Sequence, residues 1–237
     1  KYNMTKRVST QYLADILADA SDRTMELVDG LTSEQMIGPK LPIVNPLLWE
    51  IGHVAWFYEK FILRMLYNEN PILENGDNLY DSIDIEHYDR WDLPILDLNS
   101  VKVYIEQIRN KLIERLGDIS KSNFASEQDS FIYQFATFHE DMHTEAYTYS
   151  RNTLNYPQPN FNFAKSIDII KSDKSLLPDD LEIPGGTFKL GSTREADFLF
   201  DNEKWAHDVN VYPFKIARTC VTNSEFAAFV SDGGYER

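Results

Sequence analysis

Residues 45–67, NPLLWEIGHVAWFYEKFILRMLY, constrain this chain more than any other stretch. Apolar side chains cover nearly the whole circumference of the helix they would form, and a helix that is apolar all round must be enclosed by other elements. Asn45 and Pro46 suit its start, because Asn can cap free amides and Pro at the first helical position gives up an N–H that has no partner anyway. The spacing therefore predicts a central helix, the most buried of its group.

Three further segments supply its neighbours. Leu13, Ile16, Leu17, Ala20, Thr24, Leu27, Val28 and Leu31 recur at intervals of three and four, on a helix ending near Gly30. Val101, Tyr104, Ile105, Ile108, Leu112 and Leu116 mark another, from about Asn99. A fourth opens at Ser126, with Asp129 three residues on as in a capping box, and stops before Pro157. The expectation is a four-helix bundle over residues 1–157, with residues 68–98 as one long crossover between its second and third helices. A connection of that length in a compact domain is usually functional.

The character changes after Pro157. Residues 158–180 read as linker, and residues 181–237 combine Gly-rich turns, short alternating segments and one short helix. The fold class expected is α followed by α+β, the second domain stopping partway, since so few residues of irregular composition make a marginal core.

A net charge of −15 opposes non-specific binding to nucleic acid or anionic membrane and favours small-molecule substrates or protein partners. The single cysteine, Cys220, excludes an internal disulfide and a cysteine-rich zinc site, and it reads as a small core residue. The start lacks a leader-like apolar run, and no segment approaches the roughly 18 uninterrupted apolar residues of a membrane span. A soluble, cytoplasmic protein is expected.

Chemistry concentrates in FHEDMHTEAYTYS, residues 138–150. His139 and His143 stand four apart, one turn of helix, and can reach a common ion. The stripe Ile132, Phe135, His139, His143, Ala146, Ser150 keeps helical spacing and is expected to face the bundle interior. His53, flanked by Trp49, Trp56 and Phe57 with no evident polar neighbour, offers a third nitrogen from the second helix. Three buried imidazoles need partners for their ring nitrogens, and a metal supplies one for each.

His-Glu-x-x-His is also the zinc-protease motif, with Glu140 as its base. The His-x-x-Gly-x-x-His continuation is missing, and nothing before residue 181 reads as the strand that would hold a peptide. Glu140 is better read as a supporting acceptor or a solvated charge. Fe(II), Zn(II) and Ni(II) all suit three neutral imidazoles, and three open positions on an octahedral ion suit Fe(II) with O2.

NPLLWEIGHVAWFYE, HEDMH, IPGGTFKLGS, FDNEKWAHDVNVYPFKIARTCVTNSEFAAFV and DGGY together resemble the nonheme iron sulfoxide synthases of the ergothioneine type. That family fuses a DinB-like four-helix bundle to a formylglycine-generating-enzyme domain, of C-type-lectin-like fold. The resemblance implies one Fe(II) on His53, His139 and His143, O2 as co-substrate, and a thiol joined to C2 of the imidazole of hercynine. It also implies Arg90 as a cation for a substrate carboxylate.

Met142 stands where ergothioneine synthases carry Gln against the imidazole substrate, and YDSIDIEHYDRWDLP looks closer to the selenoneine-forming branch, which uses a selenol donor. The family's catalytic tyrosine would fall beyond Arg237, so a chain of this extent is expected to bind metal and to be catalytically incomplete. His87 reads as a solvated loop residue, His207 as structural, and Asp201, Asn202 and Glu203 as a turn. A DinB-type thiol transferase using Zn(II) or Ni(II), and a non-catalytic binding module, are the alternatives.

Overall fold

The computed structural model describes residues 6–119, 123–161 and 179–237. The chain divides into two compact units, Lys1–Ala164 with Glu195–Phe200, and Lys165–Arg194 with Asp201–Arg237. Most of the linker expected over 158–180 lies outside the described residues.

The first unit is the expected bundle. Helix α1 (Thr10–Val28) starts at Ser9, whose Oγ accepts from the Tyr12 N–H at 3.1 Å, a cap that contributes about 1 kcal/mol. Leu13, Leu17, Ala20, Thr24, Leu27 and Val28 are its buried face. Leu31 lies past its end, before the short α2 (Ser33–Ile37).

Helix α3 (Leu47–Tyr58) has all twelve residues buried. Each large apolar side chain so enclosed stabilises the fold by roughly 1.5–3 kcal/mol. It runs directly into a π-helical turn, Glu59–Arg64. Its start differs from expectation: Pro46 is the capping residue and no side chain caps the helix. Asn45 is engaged elsewhere, with Glu50 and Arg90.

The crossover is not a bare loop. It contains α4 (Gly76–Tyr80) and a 3-10 turn, His87–Trp91. Asp77 of α4 accepts from Trp56 Nε1 at 2.7 Å and from two Arg64 nitrogens at 2.7 and 2.9 Å, which fastens α4 to α3 and its π turn. The Tyr80 hydroxyl accepts from the Leu96 N–H, and Trp91 Nε1 donates to the Gly38 carbonyl.

Helices α5 (Leu98–Ile119) and α6 (Glu127–Thr153) complete the bundle. Val101, Tyr104, Ile108, Leu112 and Leu116 of α5 are buried as the pattern predicts. Ser126 caps α6 by accepting from the Asp129 N–H at 3.0 Å. The deepest stripe of α6 is Tyr133, Ala136, Thr137, Glu140, Thr144, Tyr147 and Arg151. His139 and His143 lie a step round from it and are half-buried. Their rings nonetheless turn toward α3, meeting His53 and, for His139, Phe57, so they lie less deep than expected while facing inward. Phe198 and Phe200 also belong to this unit, Phe198 stacking on Phe131 with centroids 5.5 Å apart and Phe200 lying against Phe135.

The second unit pairs β1 (Asp180–Ile183) with β4 (Phe214–Ala217), and β2 (Gly186–Leu190) with β3 (His207–Val211), both antiparallel. Helix α7 (Asn223–Ser231) follows, opened by a reciprocal capping box between Thr222 and Glu225. Cys220 is exposed rather than a core residue. Among the described residues no helix is long and apolar enough to cross a membrane.

Candidate metal centre

His53 sits in the middle of α3, 3% exposed. Its ring stacks on Trp49, one turn earlier, with centroids 5.0 Å apart and planes 10° apart, and it also meets Trp56 and Phe57. The polar partner not evident from sequence comes from α4. Leu79 and Tyr80 occupy the last turn of that helix, where carbonyls have no partner within the helix. The Leu79 carbonyl accepts from Trp49 Nε1 at 2.7 Å, and the Tyr80 carbonyl lies 2.8 Å from His53 Nδ1.

A carbonyl can only accept, so His53 Nδ1 carries the proton and Nε2 presents a lone pair. That lone pair faces His139 Nε2 at 3.3 Å. His143 closes the group: its ring centroid lies 5.0 Å from that of His53 and 4.7 Å from that of His139. One ring nitrogen from each of the three lies within 4.8 Å of the others.

The arrangement has the chemistry of a cation site. Burial, followed by the nearby His143, pushes the His53 imidazole down to about 3. Burial, then His143 and His53, takes His139 down to about 2. Both are neutral at physiological pH. Metal–nitrogen bonds of about 2.0–2.1 Å place two nitrogens of one ion about 2.8–3.4 Å apart, for angles from octahedral to tetrahedral. The 3.3 Å separation falls in that range. His139 Nδ1 and His143 Nδ1 are buried without a hydrogen-bond partner among the described residues. His139 is instead held by stacking on Phe57, centroids 3.8 Å apart.

Arg90, in the 3-10 turn, lies with its guanidinium 4.2 Å above the Trp49 ring. Its Nη1 donates to Asn45 Oδ1 at 2.8 Å. The ring that stacks on His53 thus also carries Arg90. Met142 is 51% exposed, on the outer side of α6 next to His143.

Glu140 is neither solvated nor aimed at the three imidazoles. It is buried and accepts from Thr24 Oγ1 at 2.7 Å and Tyr58 Oη at 2.8 Å. Burial raises its carboxyl above the ordinary range, against those two bonds. His87 is half-buried, its Nε2 2.9 Å from the Leu41 carbonyl, rather than a solvated residue. His207 opens β3, exposed, with Nδ1 3.0 Å from the Trp205 carbonyl.

Residues 16–146 match the DinB superfamily. The chain belongs to the DinB superfamily. Residues 166–237 match the sulfatase-modifying factor enzyme 1-like domain. Hercynine oxygenase of Mycolicibacterium smegmatis is 28% identical over 233 residues, covering 97% of this chain and 52% of that protein. Hercynine oxygenase of Mycolicibacterium thermoresistibile is 28% identical over 235 residues, covering 95% and 49%. A formylglycine-generating enzyme of Mycobacterium tuberculosis is 42% identical over 60 residues, 25% of this chain and 19% of that protein.

The DinB bundle is therefore followed by a sulfatase-modifying-factor part, in the order that the ergothioneine-type family has, and hercynine oxygenases match across both. That resemblance is borne out. The chain spans about half the length of those hercynine oxygenases.

Sequence reasoning about this DinB bundle missed three groups that touch the site: the Tyr80 carbonyl, Glu50 and Asn45. A main-chain carbonyl leaves no trace in residue type. Gly52 was the available signal, because a Cβ there would lie 2.3 Å from the Tyr80 ring.

Proposed function

We propose that His53, His139 and His143 hold one Fe(II), and that this DinB bundle is the metal-binding part of an oxygenase acting on hercynine or a related histidine derivative. The observation that carries the reading is the 3.3 Å approach of two imidazole nitrogens from separate helices, with His143 beside them. The similarity of nearly the whole chain to about half of proteins named hercynine oxygenase supports the substrate class.

In the reaction proposed, the imidazole C2–H and the donor S–H or Se–H are given up and a carbon–chalcogen bond forms. One atom of O2 ends on the chalcogen and the other leaves as water. Fe(II), when bound, supplies the site at which O2 and the thiolate or selenolate are brought together. The chain's own residues do the rest of what it contributes. His53 and His139 stay neutral, which keeps their lone pairs on the ion. Arg90, positioned on Trp49, takes a substrate carboxylate.

Anaerobic reconstitution tests this, on the chain and on a version extended to the length of its relatives. Fe(II) should bind one per chain, and the extended version should consume O2 only when hercynine and a thiol or selenol are both present. Transfer of a thiol with Zn(II) and no O2 uptake would replace the reading by a metal-dependent thiol transferase. No stoichiometric metal would leave a binding module.

A further inference from the structure

Glu50 is 1% exposed and stands on α3 one turn before His53. A buried carboxylate is costly unless its lone pairs are met. Its Oε1 accepts from Asn45 Nδ2 at 2.7 Å and lies 3.8 Å from His143 Nδ1. Its Oε2 and that same Nδ1 have no hydrogen-bond partner among the described residues. The other end of the Asn45 amide, Oδ1, accepts from Arg90 Nη1 at 2.8 Å. One continuous polar chain therefore runs from Arg90 through Asn45 and Glu50 to the edge of His143.

Metal-bound imidazoles usually donate their second N–H to a carboxylate or carbonyl, which fixes tautomer and ring orientation. His53 has such a partner in Tyr80. Among the described residues the candidate for His143 is Glu50, whose Oε1 lies 3.8 Å from Nδ1.

We propose that Glu50 is the positioning residue of His143: its carboxylate takes the His143 Nδ1–H, turns Nε2 toward the shared ion, and through Asn45 couples that imidazole to the Arg90 guanidinium. The inference rests on the metal-centre reading above. It explains why an acidic side chain occupies an otherwise apolar turn of α3. It also makes Asn45 a bridge whose two amide ends serve a cation and an anion, which an Asp or a Leu there could not do.

Co(II) is the probe, because its visible absorption reports ligand geometry. The dissociation constant is measured against a chelator, and the melting temperature is taken without metal. Glu50→Gln should bind Co(II) about 10–100-fold more weakly, with shifted visible bands and no loss of metal-free melting temperature. Asn45→Ala, which keeps the ligands and the carboxylate but removes the donor to Glu50 Oε1, should shift the same bands with a smaller loss of affinity. Wild-type affinity and spectrum in Glu50→Gln would overturn the inference while leaving the metal centre standing. Should Glu50→Gln fail to fold, an unchanged spectrum in Asn45→Ala overturns it and a shifted one upholds it. A wild-type chain that takes up no Co(II) removes the metal centre and this inference together.

Discussion

The Nδ1–H of His53 donates to the carbonyl of Tyr80 at 2.8 Å, and the Tyr80 ring fills the space that a Cβ on the preceding Gly52 would need. The two facts are one device. Gly52 lets the crossover approach α3 closely enough for a main-chain oxygen to orient the imidazole behind it.

Gly52→Ala should therefore act on both stability and metal. The new methyl would sit 2.3 Å from Tyr80 Cε1 and 2.5 Å from Cζ, so a ring that is fully buried must move. Overpacking of this kind costs about 1–3 kcal/mol, read in a urea titration. The carbonyl moves with the ring, so metal affinity should drop in parallel. Unchanged affinity in a destabilised variant would show that the Tyr80 carbonyl does not orient His53.

Glu140→Gln tests whether Glu140 belongs to the buried core and not to the metal centre. The carboxyl is raised by burial, so the folded state favours its protonated form. A raised carboxyl contributes stability that is fully present below its unfolded value, 4.5, and is lost as pH rises through the folded value. Gln keeps a neutral group there at every pH. The variant should thus gain on wild type in melting temperature from pH 5 to pH 9 and retain one metal per chain. Loss of the metal would place Glu140 in the site after all.

The bundle was legible because burial has a period. Most inward residues of α1 and α5 were read correctly from spacing, Ile16 and Ile105 being half-buried and Leu31 lying past α1, and α3 announced its burial by being apolar all round. The same logic made His139 and His143 deeper than they are, since an α6 stripe bearing Glu140, Thr144 and Arg151 does not look like the deepest face. Those polar groups are buried because α1, α3 and the segment after α6 meet them with hydrogen bonds: Thr24 and Tyr58 for Glu140, the Leu27 and Pro157 carbonyls for Arg151. Hydrogen bonds between distant residues have no period to read. Asn45 was assigned to a helix cap for the same reason, when its amide is committed to Glu50 and Arg90.

Asp77 sets an acid limit on the crossover's attachment. The hydrogen bonds from Arg64, partly offset by burial and joined by Trp56, draw its carboxyl down to about 2, from 3.8. A depressed carboxyl contributes stability that is present above 3.8 and lost as pH falls toward 2. The Asp77 side chain is 45% exposed, and screening by water holds the contribution to about 1 kcal/mol or less. Asp77→Asn should lower the melting temperature slightly at pH 6 and lose that deficit at pH 2. A deficit independent of pH would mean that Asp77 serves through shape and not through charge.

The three proposed ligands should differ in what their removal does to the metal-free protein, while agreeing in what it does to the ion. His53→Ala empties a site walled by Trp49, Trp56 and Phe57 and leaves the Tyr80 carbonyl without its donor. A buried cavity together with an unmet carbonyl costs about 2–5 kcal/mol. His139→Ala gives up the stacking on Phe57 from a half-buried position and should cost less. His143→Ala, half-buried and with no hydrogen bond to Nδ1 among the described residues, should cost least, and it relieves crowding among three imidazoles. Metal content should nonetheless fall from one per chain to near zero in all three, by elemental analysis after dialysis. Two nitrogens from a single turn of α6 do not hold an ion as three nitrogens from two helices do. Full stoichiometry in His53→Ala would mean that α6 binds alone, and the convergence of α3 upon it would then have no role in holding metal.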